Sequence, residues 1–133
     1  MKHDETYVNG LKQRTKVLGK KHVDGAEANK NSFNSDFQHF ITKYAWGEIW
    51  TRKGLTLRER SFITLSMLIA LNHEHEFKMH IRAAFNNGVS VVEIKEIILQ
   101  SGLYCGLPAA NAAYKAAEEV FDELEIAYKN ENL

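Results

Sequence analysis

Residues 72 to 80 read "NHEHEFKMH", which puts three histidines and two glutamates into the eight positions from His73 to His80. On a helix, His73, Glu76 and His80 fall at i, i+3 and i+7 and share one face. Three such side chains could hold a metal ion. Helical metal sites, however, use His-Glu-x-x-His or Glu-x-x-His and take further ligands from a second helix. Neither spacing is present, and no second cluster of His or Cys follows. The other chemistry open to this stretch is acid–base. A carboxylate at Glu76 and an imidazole at His80 stand one turn apart, where the carboxylate can fix the tautomer and support an imidazolium. A purely structural His–Glu pair has the same spacing. His73 and His75 read as surface residues of a first helical turn.

A second constellation is "YAWGEIWTR", residues 44 to 52. Trp46 and Trp50 can exclude water, Glu48 offers a buried acid or base, and Arg52 offers a planar fork for an anion. The same aromatics serve equally well as core. The single cysteine, Cys105, sits in "LYCG" with no histidine nearby, and reads as a small buried residue at a helix end.

The elements that must position these groups read as helices throughout. The chain has one proline and no alternating run rich in Val, Ile or Thr. Val8, Leu11, Thr15 and Leu18 predict a first helix over residues 5–18, closed by Gly19. The polar stretch "KKHVDGAEANKNSFN" predicts a loop. Phe37, Phe40, Ile41 and Tyr44 predict one face of a helix over 35–44, with "AWGEIWTRKG" as a turn or broken helix. "TLRE" and "SVVE" match the capping box and open helices at Thr56 and Ser90. The first of these is apolar nearly all round to Leu71, which predicts a buried central helix. Asn72 can cap the next helix, which carries His80 and stops at Gly88. Pro108 fits the first turn of a last helix reaching about Tyr128, with an alanine-rich face.

Composition narrows the class. The 133 residues fit one domain, 1–133, and 44% of them are apolar. Seventeen acids against seventeen bases argue against a nucleic-acid binder. A lone cysteine excludes an intrachain disulfide and fits a reducing, cytoplasmic setting. The opening "MKHDETYVNG" lacks a signal-peptide core, and the longest apolar run is too short for a membrane span. The fold expected is all-α, a single-domain multi-helix bundle.

Four segments resemble the carboxymuconolactone decarboxylases: "VLGKKHVDGA", "YAWGEIWTRKGL", "LRERSFITLSMLIALN" and "KMHIRAAFNNGVSVVEIKEIILQSGLYCGLPAANAA". The resemblance runs in order from about Tyr7 to Phe121. It implies the helical fold that this family shares with the alkylhydroperoxidase D proteins. Those proteins carry Cys-x-x-Cys followed four residues later by His. Here His73 and Glu76 stand at the cysteine positions and His80 at the histidine, which removes dithiol chemistry. The implied reaction is cofactor-independent loss of carbon dioxide from a γ-lactone in aromatic breakdown.

The resemblance further implies a small lactone substrate and a homo-oligomer, trimer or hexamer; no nucleic-acid, membrane, cofactor or metal partner is expected. His80 is expected as acid or oxyanion donor, oriented by Glu76, with Glu48 as a second acid–base group. Arg52 is expected to take the substrate's acetate arm, with Arg60 and Arg82 as competitors, and Trp46 and Tyr104 to wall the pocket. Two other readings stay open at this point: a metal-dependent enzyme using His73, Glu76 and His80, and a non-catalytic helical oligomer.

Overall fold

A computed structural model describes residues 4–133, so the first three residues of the polar opening lie outside it. Among the described residues there are helices and no strands, as the sequence predicts. The order is α1 (Glu5–Leu18), α2 (Lys20–Ala28), α3 (Ser35–Phe40), a π-helix π1 (Ile41–Ile49), α4 (Leu57–Leu71), α5 (Glu74–Asn86), α6 (Val91–Cys105) and α7 (Leu107–Glu123). The chain forms two compact units, one ending at Leu57 and one spanning Arg58–Leu133.

In the first unit, α1 packs against π1 and α2. The Asp4 carboxylate caps α1 by accepting from the Tyr7 N–H at 2.8 Å. Gly19 closes the helix with φ +92°, a value that favours glycine. The inner face of α1 is Tyr7, Gly10, Arg14 and Val17, rotated by one residue from the expected Val8–Leu11–Thr15–Leu18 stripe. Val8 is exposed. The rotation brings Gly10 to the contact with π1. A Cβ there would lie 2.8 Å from Gly47 N and closer still to the Thr42 carbonyl oxygen, so two backbones touch where no side chain fits.

The expected loop after Gly19 is helical over its first part. Lys20 and Asp24 pair at i, i+4 (2.5 Å) and Val23 anchors the helix as its one buried residue. One buried apolar residue in nine gives no periodicity to read. The next helix runs further than the sequence suggests. α3 continues into π1, where Trp50 N–H donates to Ala45 O at 2.9 Å, an i→i−5 bond. The expected inner face of Phe37, Phe40 and Tyr44 is instead exposed, and Phe33 with it.

The second unit is built on a core of Leu65, Ile69, Phe77, Ile81, Ile94, Ile98 and the alanines of α7. α6 opens with the expected capping box: Ser90 Oγ accepts from Glu93 N–H, and the Glu93 carboxylate accepts from Ser90 N–H at 2.9 Å. Arg58 pairs with the same carboxylate, and the two contacts hold its pKa down at about 2. The alanine face of α7 is buried, as its small side chains suggest, through Ala110, Ala113, Ala116 and Ala117. Against it lies Gly102 of α6, where an added Cβ would stand 2.7 Å from the Ala110 Cβ. α7 ends at Glu123, short of the expected Tyr128.

The expectation of a fully buried α4 is overturned. Ser61, Leu65 and Ile69 are buried, but Ile63, Met67 and Leu71 on the other side are exposed. A helix that is apolar all round needs cover on every side, and a single chain supplies it on one.

Candidate active site

Asn72 does not cap α5. It takes φ +59°, a left-handed value rare outside glycine, and His73 becomes the N-cap residue. The helix then turns Phe77, His80, Ile81 and Ala84 inward at i, i+3, i+4 and i+7. His80 is 8% exposed, with its Nδ1 closed off from solvent. A titratable imidazole thus sits among Phe77, Ile81 and Ala84 on the face of α5 that joins the core, and α5 packs against α7. Of the His and Glu residues in this stretch, His80 is the one the fold buries.

The other sequence-derived candidates are placed differently. Glu76, one turn before His80, is exposed and makes no hydrogen bond among the described residues, so the expected pair is not formed. Its carboxylate keeps its water, which an apolar helix face could not replace. His73, Glu74 and His75 are exposed as well. No group of three His, Cys, Asp or Glu side chains gathers to hold a metal among the described residues. The shared-face argument fails because only His80 of the three points inward.

In the first unit, Trp46 and Trp50 are buried and stack at 4.8 Å between centroids. Glu48 is exposed, not buried as expected, because Trp46 and Trp50 take the inward positions two residues to either side. Arg52 is exposed just past the end of π1. In the second unit, Arg60 is half-buried, and Arg82 donates its Nε–H to Glu123 at 2.7 Å. That pair gives Arg82 a carboxylate partner of its own. Tyr104 is 81% exposed and lines a cleft with Phe62, Ile97 and Ser101 that His80 does not reach.

Cys105 corrects another expectation. It is exposed, at the last turn of α6, where Gly106 turns the chain before its side chain can be covered. With no core packing to lose and no base beside it in sequence, Cys105→Ser keeps turnover within about tenfold. A folded variant with no turnover would make the thiol a participant.

One functional-group residue escaped the sequence reading. Arg14 lies on the inner stripe of α1, 5% exposed. The signal was its i, i+4 and i, i+7 spacing from Gly10 and Tyr7, which a search for apolar periodicity passes over.

Comparison with known proteins adds the context for this geometry. The chain is 52% identical over 132 residues to the 4-carboxymuconolactone decarboxylase of Acinetobacter baylyi, covering 99% of this chain and 98% of that one. It is 35% identical over 122 residues to nitrosuccinic acid decarboxylase npaB of Metarhizium robertsii, covering 92% and 85%. Residues 35–119, which include His80, match the carboxymuconolactone decarboxylase family. With the fold all helical and the match spanning both halves of the chain, this protein belongs to the carboxymuconolactone decarboxylase family.

Proposed function

We propose that this chain is a carboxy-lyase that removes carbon dioxide from 4-carboxymuconolactone and releases the β-ketoadipate enol-lactone. The observation that carries the reading is 52% identity, over 99% of the chain, to an enzyme of that name. The buried His80 supplies a group able to do the chemistry.

The leaving carboxylate sits on the γ carbon of an unsaturated lactone. When the C–C bond breaks, its electron pair runs through the double bond into the lactone carbonyl. The substrate is its own electron sink. Negative charge develops on the lactone oxygen, and a donor aimed there contributes roughly a hundred- to a thousandfold in rate. The dienolate then takes a proton at the α carbon, a step for which a positioned acid contributes about 10²–10⁴-fold.

His80 is the proposed acid. An imidazole can carry a proton near neutral pH, and from this position it would hand that proton to the dienolate. Glu76 is exposed and makes no hydrogen bond among the described residues, and it is proposed to support the imidazolium through its charge from the preceding turn. Arg60, Glu48, Arg52, Trp46 and Tyr104 enter residue by residue: Glu48 as a second acid–base group, Arg52 or Arg60 as the anion fork, Trp46 and Tyr104 as apolar wall. Arg82 drops behind them, because Glu123 already occupies its Nε.

The chain is further proposed to act as one functional domain over 1–133 in a homo-oligomer in the cytoplasm. The uncovered apolar side of α4, Ile63, Met67 and Leu71, supports association between copies, as do Leu99 and Leu103 on α6. No helix among the described residues is long and apolar enough to cross a membrane.

The test is direct. Purified protein incubated with 4-carboxymuconolactone releases one carbon dioxide per lactone consumed, followed by loss of lactone absorbance. Absence of release by the assembled, folded protein overturns the reading. The same assay after exhaustive dialysis against EDTA retains its rate, because the reaction draws its electron sink from the substrate. Loss of rate on dialysis, restored by a divalent ion, would return the His73, Glu76 and His80 face to a metal role.

A further inference from the structure

Arg14 is the most deeply buried guanidinium of the first unit, and it carries an unused donor edge. Its Nη1 donates to Gln38 Oε1 and to Thr42 Oγ1, each at 3.1 Å. Thr42 is itself fixed, its Oγ1 donating to Gln38 O at 2.7 Å. These contacts use one nitrogen. Nε is buried and has no hydrogen-bond partner among the described residues. Nη2 makes no hydrogen bond either, yet it is not sealed from solvent. In a planar guanidinium, Nε–H and Nη2–H lie on the same side and form the parallel fork that matches the two oxygens of a carboxylate.

The Nη1 side is held in place by Gln38 and Thr42. No carboxylate forms an ion pair with Arg14 among the described residues. Glu27 is near enough to act on it electrostatically, but its oxygens receive Lys30 Nζ at 3.2 and 3.4 Å. Tyr7 lies close as well, stacked on the His39 ring at 4.7 Å between centroids. Burial lowers the pKa of Arg14, and the charge of Glu27 offsets part of that. A buried cation with no ion-pair partner is costly, and a bidentate carboxylate lowers that cost.

We propose that the Nε/Nη2 edge of Arg14 is a binding site for a small-molecule carboxylate, held against α1, α3 and π1 of the first unit. The proposal stands apart from the decarboxylation and does not depend on it.

Succinate is the probe, with succinamide as its neutral counterpart. In the full chain, the Arg14 Hε–Nε resonance shifts on titration with succinate and not with succinamide. Succinate also raises resistance to unfolding. At ten times its Kd the folding equilibrium constant rises about elevenfold. Arg14→Met fills the same space without the fork, and its folding equilibrium does not respond to succinate. Arg14→Lys, which keeps charge and loses the fork, responds with at least about tenfold weaker affinity. This second variant keeps the test open where Arg14→Met does not fold. An unmoved Hε resonance with saturating succinate overturns the proposal, as does an equal response of Arg14→Lys. A larger response to inorganic phosphate would assign the fork to a different oxyanion. An Hε shift that follows protein concentration, or follows Glu27→Gln, with no succinate response, would assign it to a protein carboxylate; both overturn the proposal.

Discussion

His80→Gln lowers kcat by about 10²–10⁴ while KM changes little. Glutamine keeps roughly the size of the side chain and one donor, so the core around Phe77 and Ile81 keeps its packing. It loses the titrating proton. If His80 delivers that proton to the dienolate, the loss falls on the chemical step and spares binding. Heavy water separates this role from a structural one. The wild-type enzyme labels the α carbon on one face, because the acid approaches from one side. The His80→Gln variant releases a dienolate that solvent quenches from both faces, or at another carbon. Helical circular dichroism and the assembly state of the variant are measured alongside, since His80 is buried. A folded His80→Gln with normal rate and one-faced labelling would move the proton to Glu48. Glu76→Gln costs less than His80→Gln, because Glu76 is exposed and its proposed role is only to support the imidazole.

The helical class, the capping box at Ser90 and the alanine face of α7 were legible because each rests on a local rule. His80 was legible for a similar reason: the step from Phe77 to Ile81 and Ala84 marks an inner face, and His80 lies on it. Its supposed partner was not. Spacing places Glu76 one turn away but cannot say that the carboxylate turns to water. The exposed sides of α3 and α4 show a second limit. Phe37, Phe40, Ile63 and Met67 have the periodicity of buried residues, yet within one chain nothing covers them. Hydrophobic pattern specifies what must be covered somewhere, and a single chain need not be where that happens.

The third limit is α1. Apolar periodicity selected Val8, Leu11, Thr15 and Leu18, whereas the inner stripe is Tyr7, Gly10, Arg14 and Val17. Two of those four residues do not count as apolar, so the correct face scored poorly. What decides the face is close approach and hydrogen bonding: glycine admits the π1 backbone, and Arg14 reaches Gln38 and Thr42. The same reasoning gives a prediction of opposite signs at two glycines.

Gly10→Ala destabilises the first unit by on the order of 2 kcal/mol or more, whereas Gly25→Ala stabilises it by up to about 1 kcal/mol. Both glycines are helical, and in both alanine is the better helix former. At Gly25 a Cβ meets nothing within 4 Å, so the gain in propensity stands alone. At Gly10 the Cβ would collide with backbone of Thr42 and Gly47, which cannot rotate aside as a side chain would. Overpacking of this kind costs about 1–3 kcal/mol, occasionally more, and a rigid neighbour puts it at the upper end. The clash therefore outweighs the roughly 1 kcal/mol gain in helix propensity. The readout is built in. Both tryptophans of the chain, Trp46 and Trp50, belong to this unit and are buried, so their fluorescence during urea unfolding follows its unfolding. The midpoint moves down for Gly10→Ala and up for Gly25→Ala. Equal midpoints for the two variants would mean that α1 and π1 do not meet at Gly10, and the inward placement of Arg14 would fall with that contact.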